Sequence, residues 1–313
     1  MPSVSIIICT YNRQDYLRDT LQSLAQSLPP DRKDVEILVV NNASTDKTEA
    51  VVREYNASHP ERLAALVRED RKGLSCARNT GMDQAKGDIL CFLDDDVFVP
   101  EGWLDGIISA FSLGERVGCV AGQIRLRWPD TERPAWLDDR YSGILSEYIR
   151  GDKPFILKRG EDFFGANFAL TREAATAVGG FNMDLGRKEC VLLSGEDTEY
   201  AKRLWDRGFS IAYSPEGYIY HRVLPDRLSF RWVGKRYFWA GVTTYFQRQQ
   251  WYYPLTSLPR LVTCCILFLA ASLTGNVRRL ALSSFRVMNT AGAFYAWYLH
   301  ARGIKRFSAG ASA

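Results

Sequence analysis

The sequence predicts an α/β fold: a mostly parallel, mixed sheet with helices on both faces, followed by a basic, aromatic, helical C-terminal tail. Three observations carry this. Apolar, β-branched runs alternate with helix-patterned stretches through the N-terminal part of the chain, and strands joined through helices lie parallel and covered on both faces. The chain has 313 residues, 46% of them apolar and 24% charged, which suits a large core and excludes a disordered polymer. Residues 222–313 hold 13 of the 40 Lys/Arg, 17 of the 39 aromatics and one acid, Asp226, so a tail of +12 follows a body of −8. The total of +4 does not mark a nucleic-acid binder, and no nucleic acid is expected as a partner.

Each element follows from its pattern. Val4–Cys9 reads as a buried strand, closed by the polar turn Thr10-Tyr11-Asn12-Arg13. It has no basic stretch before it and is too short for a signal peptide. Leu17, Leu21, Leu24 and Leu28 fall at helical spacing, and Pro29-Pro30 stops that helix. Val35–Val40 is a second strand, closed by Asn41-Asn42-Ala43-Ser44-Thr45; Asp46 and Glu49 then predict a capping box for a helix to Tyr55. Leu63–Val67 and Ile89–Leu93 are further strands, with a helix over Gly73–Ala85 in which Gly81 is a weak point. In parallel sheets ligands sit outside the carboxyl ends of the strands. The turns after Cys9, Val40 and Leu93 should share that edge.

Beyond Trp103 the pattern loosens. Val117–Leu126 and Phe163–Leu170 read as strands around a Trp/Pro-rich connection, Trp128–Asp152. A helix over Thr198–Arg207 precedes two short strands, Phe209–Tyr213 and Tyr218–His221. The change in charge and aromatic content sets the domain boundary near Val223, giving domains 1–222 and 223–313. The seven cysteines, Cys9, Cys76, Cys91, Cys119, Cys190, Cys264 and Cys265, are odd in number and irregular in spacing. None is spaced for zinc or redox chemistry, and a reducing compartment is expected.

Asp94-Asp95-Asp96 directly follows an apolar strand. Three adjacent carboxylates repel one another, so they are stable in water or around a cation. The triplet alone leaves both readings open. If it binds a cation, hard oxygen ligands suit Mg²⁺ or Mn²⁺, ions that also bridge phosphates.

An ordered set of motifs narrows the choice. Ser5-Ile6-Ile7-Ile8-Cys9-Thr10-Tyr11-Asn12-Arg13, Val39-Val40-Asn41-Asn42-Ala43-Ser44-Thr45-Asp46, Gly73-Leu74-Ser75-Cys76-Ala77-Arg78-Asn79-Thr80-Gly81 and Phe92-Leu93-Asp94-Asp95-Asp96 come in turn. Gly165-Ala166-Asn167, Gly179-Gly180-Phe181, Gly195-Glu196-Asp197 and His221 follow. Over residues 4–222 the chain resembles family 2 glycosyltransferases with the GT-A fold. That resemblance implies a nucleotide-sugar donor, with uridine diphosphate as the carrier, and a divalent metal, Mn²⁺ or Mg²⁺.

The resemblance also assigns residues. Thr10, Tyr11, Asn12 and Arg13 line the nucleotide pocket. Asn41 and Asn42 stand where the family usually has acids, one of which bonds the base. Arg78 meets the base or the pyrophosphate. Asp94 bonds the ribose, with Asp95 beside it in the nucleotide site. Asp96 binds the metal, and His221 completes its shell. Asp197 is the general base, with Glu196 beside it and Glu199 behind. Gly165, Ala166, Asn167 and Asp184 line the sugar and acceptor. A single base without a covalent intermediate implies inversion, so an α-linked donor gives a β-linked product. A nucleotidyltransferase would share the metal-and-nucleotide geometry but has no use for Asp197, and a non-catalytic scaffold needs neither Asp96 nor Asp197.

In the tail, Leu261–Gly275 carries no charge; Arg260 precedes it, and Arg278, Arg279, Trp297 and Tyr298 follow. At about 1.5 Å per residue it falls short of a bilayer core of about 30 Å. Basic and aromatic flanks around a short apolar run describe an interfacial element; a buried core helix or self-association into a homo-oligomer is the alternative. The expectation is peripheral or monotopic attachment to an anionic membrane, at the cytoplasmic face, with a lipid-linked or surface-polysaccharide acceptor. Gln247-Arg248-Gln249-Gln250-Trp251 is only an echo of the processive Gln-x-x-Arg-Trp signature, so one sugar per encounter is expected.

Overall fold

The computed structural model describes residues 2–187, 192–248, 252–256 and 258–303. Cys190 and the stretch Gln249 to Trp251 lie outside them. The chain divides into two compact units. The first comprises Met1–Arg127, Ser146–Met183 and Glu196–Arg222; the second comprises Trp128–Leu145, Asp184–Gly195 and Val223–Ala313.

The first unit opens with β1 (Val4–Thr10), α1 (Gln14–Ser27), β2 (Val35–Asn41), α2 (Thr48–Ser58), β3 (Ala64–Arg68), α3 (Leu74–Gln84) and β4 (Ile89–Asp94). It continues through β5 (Val97–Phe98), α4 (Trp103–Ala110), β6 (Val117–Arg127), β7 (Phe155–Ile156), β8 (Asn167–Thr171), α5 (Arg172–Val178), α6 (Glu196–Asp206) and β9 (Ser210–Arg222). The sheet order is β3-β2-β1-β4-β8-β6-β9-β5, with β7 also on β9. The β1, β2, β3 and β4 pairings are parallel, whereas β8 runs antiparallel to β4 and β6. Thr10 lies opposite Asn41, and Cys9 opposite Asp94, so the three polar turns do share one edge.

The apolar runs are buried as their patterns demand. Ile6, Ile7, Ile8, Leu17 and Leu24 are fully enclosed. Gly81 weakens a free helix, but here it is a packing requirement: a Cβ at Gly81 would come within 2.5 Å of the Ile7 side chain. The glycine lets α3 lie close on β1.

Three local expectations are corrected. Asp46 does not form a reciprocal capping box. The N-cap of α2 is Lys47, and the Asp46 carboxylate accepts from Thr48 N and Gln14 N, both at 3.0 Å, tying the starts of α1 and α2 together. The two strands expected over 209–221 are one, β9. Its Ser214-Pro215-Glu216-Gly217 stretch looks like a turn, but the register shift opposite Gly122 and Ile124 absorbs it, and Ser214 Oγ donates to Gly106 O at 2.6 Å. The strand expected from Phe163 begins only at Asn167; Phe163 instead packs its ring at a tilt against Phe168, with centroids 4.6 Å apart.

The second unit contains α7 (Phe230–Arg248), α8 (Tyr253–Thr256), α9 (Leu258–Leu273) and α10 (Val277–Ala301). Helices α7 and α10 pack through glycines: a Cβ at Gly241 would strike Asn289 O, and one at Gly292 would strike Phe238 O. Phe285 anchors an aromatic cluster with Trp136, Tyr141, Phe230 and Tyr237. Among the described residues, no helix is long and apolar enough to cross a membrane.

Candidate active site

The acidic triplet sits where β4 ends. Its turn is pinned by the buried hydroxyl of Thr20, which lies 2.9 Å from the carbonyl oxygens of Asp95 and Val97 and accepts from Val97 N at 3.1 Å. The next two residues, β5, pair antiparallel with β9, and Val97 faces His221. This pairing brings a histidine 125 positions away onto the triplet. His221 Nε2 is 3.3 Å from Asp96 Oδ1 and 4.0 Å from Asp94 Oδ2. One ligand atom from each of Asp94, Asp96 and His221 can lie within 4.8 Å of the other two. Two carboxylates and an imidazole at that spacing form a donor set that fits Mn²⁺ or Mg²⁺.

Burial makes these charges costly, and a cation of the protein offsets part of the cost. Asp95 and Asp96 are almost wholly buried, so the triplet is not a solvated turn. Arg13 Nη1 reaches Asp96 Oδ2 at 2.8 Å and Asp95 Oδ1 at 3.2 Å. Burial opposes the charge on Arg13, but Asp95 and Asp96 outweigh it and raise its pKa. Burial pushes Asp95 up to about 6; Arg13 works against that rise and Asp96 adds to it. Arg13, assigned to the nucleotide pocket, is placed on the carboxylates.

Arg78 connects this corner to the start of α6. Only 3% exposed, it lies between the rings of Phe168 and Phe181, 5.6 and 5.4 Å from their centroids. Nη1 donates to Glu196 Oε1 at 3.0 Å and Nη2 to Gly165 O at 2.8 Å; Nη2 is also 3.9 Å from Asp94 Oδ1. Arg78, expected to meet the base or the pyrophosphate, thus has its guanidinium engaged by groups of the protein. A buried guanidinium must be paired, and this one is held inside the protein by Glu196. Glu196 correspondingly serves Arg78, and its Oε2 is buried without a hydrogen-bond partner among the described residues.

Asp197 stands in the first turn of α6, where the helix dipole favours a negative charge. Its Oδ2 accepts from Gly165 N at 3.1 Å and its Oδ1 from Thr198 N at 2.9 Å. Desolvation pushes its pKa up to about 7, and the neighbouring Glu196 adds to the rise while Arg78 opposes it. Gly165 thus touches both corners through its carbonyl and its N–H. A Cβ there would collide with the Arg78 guanidinium. Ala166 O accepts from Asp94 N at 3.3 Å. Glu199 pairs with Arg203, one turn on, at 2.8 Å.

The remaining assigned residues divide into those at the edge and those that support it. Thr10 is buried and Tyr11 half-buried at the end of β1, and the Lys72 ammonium lies 5.6 Å from the Tyr11 ring centroid. Asn12, in the left-handed region at φ 51°, accepts from Thr45 N at 2.7 Å and so joins the turns after β1 and β2. Asn41 Oδ1 accepts from Ser44 N, while the Asn42 amide donates to Glu69 O and Arg71 O and accepts from Gly73 N. Of the two residues that stand where one family acid bonds the base, Asn42 has both amide hydrogens and its oxygen engaged by the loop before α3. Asn167, expected to line the sugar and acceptor, lies inside the protein. It is 1% exposed, donates to Gln123 O and Gly217 O, and accepts from Trp103 Nε1, so it cross-braces the core. Asp184 is exposed and belongs to the second unit, whereas Gly165 and Ala166 belong to the first.

Sequence reasoning missed the supports. Asn79 clamps Phe181 through both ends of its amide, at 2.6 and 2.9 Å, and so fixes one wall around Arg78. The signal was present in the Arg78-Asn79 pair and in Gly179-Gly180-Phe181, but only folding joins them. Glu69 is nearly buried and its pKa is lowered to about 2, first by Arg71 and also by Thr80, with desolvation working against the shift. It holds the loop that Asn42 caps.

Comparison with known proteins agrees with this geometry. Residues 5–179 match the family described as "Glycosyl transferase family 2". The chain is 30% identical over 243 residues to the succinoglycan biosynthesis protein ExoM of Rhizobium meliloti, covering 77% of this chain and 73% of that one. It is 21% identical over 242 residues to the glucosyl-dolichyl phosphate glucuronosyltransferase of Haloferax volcanii, covering 76% and 75%. Among solved structures it is similar to the mannosyltransferase PcManGT of Pyrobaculum calidifontis, solved with GDP-Man and Mn²⁺, with a TM-score of 0.68, 21% identity, and coverage of 95% and 87%. That likeness shows the fold, which is GT-A. The ordered motifs, the sheet and the extent of the match lead to one assignment: the chain is a glycosyltransferase and belongs to glycosyl transferase family 2.

Proposed function

We propose that the protein is an inverting, metal-dependent glycosyltransferase that moves a sugar from a UDP-sugar to a lipid-linked or surface-polysaccharide acceptor at an anionic membrane surface, on the cytoplasmic face. The observation that carries this reading is the linkage of two corners through Arg78 and Gly165: the Asp94, Asp96 and His221 donor set on one side, Asp197 on the other. The names of the relatives support the acceptor class, since ExoM is a polysaccharide biosynthesis protein and the Haloferax enzyme acts on a dolichyl phosphate sugar.

The residues divide the work. Asp94, Asp96 and His221 would hold a divalent ion, which offsets charge on the departing diphosphate. Arg13 keeps the buried carboxylates close together until that cation binds. Asp197 accepts the proton of the acceptor hydroxyl as its oxygen bonds the anomeric carbon. The bond from that carbon to the diphosphate breaks, and its electron pair leaves with UDP. One displacement inverts the centre, so an α-linked donor gives a β-linkage. A carboxylate with its pKa near 7 is well matched to take a proton at neutral pH.

The test is a transfer and donor-hydrolysis screen with several nucleotide sugars, with and without Mn²⁺. Metal-dependent release of UDP from one of them is the expected result. Release that is indifferent to Mn²⁺ and to EDTA would overturn the metal assignment, and no release from any uridine donor would overturn the choice of carrier.

A further inference from the structure

Helix α9 departs from the rule that helices hide their apolar side. Cys264 and Ala271, seven positions apart, are its two side chains described as buried, and both lie on one stripe. The opposite stripe is Val262, Ile266, Leu269 and Leu273, spaced 4, 3 and 4 residues apart, with exposures of 59, 61, 64 and 91%. At helical spacing these side chains share one outward face. Leu267 and Phe268 flank the buried stripe and are less exposed, at 39 and 41%. A helix facing water carries polar groups on that face; this one carries none. The surroundings are basic: from Arg227 to the C-terminus the sequence has no acid, and Arg278 and Arg279 open the next helix.

We propose that the outward stripe of α9 enters the acyl region of one leaflet of an anionic membrane. This deepens the membrane-surface part of the proposed function and rests on it. At 16 residues the helix is about 24 Å long, short of a hydrocarbon core of about 30 Å, which suits lying in the interface rather than spanning it. Charge complementarity selects the occupant. Anionic headgroups pair with the +12 tail, whereas a second copy would bring two such tails together and repel.

Cys265, exposed and three positions from Val262, reports directly on this face. An environment-sensitive dye on Cys265 of the full chain, with Cys265→Ser as the labelling control, should shift to the blue on phosphatidylcholine–phosphatidylglycerol vesicles. Brominated lipid chains should quench it, and the shift should persist at high salt, where the screening length is only about 3 Å at 1 M. The pair Ile266→Asn and Leu269→Asn touches exposed positions and leaves the fold intact. It should lower vesicle partitioning on the order of tenfold per side chain. Flotation that is lost in high salt, with no dye shift, would overturn insertion while leaving surface attachment standing. No flotation at all would overturn both. A concentration-dependent dye shift without lipid, accompanied by a dimer in light scattering, would overturn the proposal in favour of self-association. UDP release measured on the same preparation without vesicles tests the chemistry separately.

Discussion

The first unit buries charge, and the second exposes hydrocarbon. Around Arg78 the first unit encloses a guanidinium, Glu196, Asp95, Asp96 and His221 at 5% exposure or less. In the second unit α9 leaves Ile266, Leu269 and Leu273 more than half exposed. Each inverts the ordinary rule for its residue type. The two inversions differ in how they are maintained. Buried charges persist because partners lie within hydrogen-bond distance and because the sheet behind them is rigid. Exposed hydrocarbon costs little folding energy, so no internal partner is needed. Breaking the first should therefore damage stability and chemistry together, while altering the second should leave the folded unit unchanged.

The largest effect is expected at Asp197. Asp197→Asn should lower transfer about 10²–10⁴-fold, the usual worth of a general base, with donor binding retained. A rate within a few-fold of wild type would move the base elsewhere. Asp96→Asn is the matching test of the metal corner: calorimetry should show Mn²⁺-dependent UDP binding greatly weakened, and unchanged affinity would rule Asp96 out as a ligand.

Next comes the buried pair. Arg78→Met leaves Glu196 enclosed and unpaired, at a cost of about 3–5 kcal/mol. Removing both charges, Arg78→Met with Glu196→Met, should recover much of that loss, because an apolar pair of similar volume carries no stranded charge. Urea midpoints of the three variants decide the matter. A double variant no better than the single would show that Glu196 is not the group left stranded.

A smaller, pH-dependent effect follows from Asp197, whose folded-state pKa is raised to about 7. The folded protein holds this proton over a range in which the unfolded chain, with an ordinary pKa of about 3.9, has released it. Stability from this group is thus present at low pH and lost as pH rises from about 4 towards about 7, the opposite of a salt-bridged carboxylate. Activity has the other sign, since transfer needs the ionised form: kcat/KM should climb through about pH 7. Denaturation between pH 5 and 8 should show the downward slope in wild type and a flatter one in Asp197→Asn. Identical slopes would mean that Asp197 titrates normally.

The smallest effect is expected in the second unit. Ile266→Asn or Leu269→Asn should change stability in vesicle-free buffer by less than about 0.5 kcal/mol, as exposed positions do. A loss comparable to that of Arg78→Met would mean that α9 packs in a core, and the contrast between the units would collapse.

Much of this was legible in the residues. The parallel strands could be read because a strand buried on both faces must be a continuous apolar run, as Val4–Cys9 and Ile89–Leu93 are. The shared polar edge followed from where those runs stop. The inward-facing polar residues have a common cause. Asn42, Arg78 and Asn167 are polar residues in conspicuous motifs, and a sequence does not say whether such a residue faces a ligand or another part of the chain. All three turned inward, because the close approach of backbone at Gly73, Gly165 and Gly217 leaves groups that need partners. Asn79 was missed for the same reason: its partner, Phe181, lies 102 positions away.

By itself, the sequence determined what local patterns can encode: the alternation of strands and helices, the acidic turn, the helix start at Glu196-Asp197, and a tail both basic and apolar. These depend on neighbours along the chain and on the periods of 2 and 3.6 residues. Tertiary structure alone decided which distant groups meet. The antiparallel pairing of β5 with β9 set His221 beside Asp96, Gly165 came to touch both Arg78 and Asp197, and α9 packed through Cys264 and Ala271 so that Ile266 and Leu269 faced out. The physical reason is that a carboxylate's partner, and hence its pKa and its role, is set by distances of a few ångströms in space, which the order of residues does not contain.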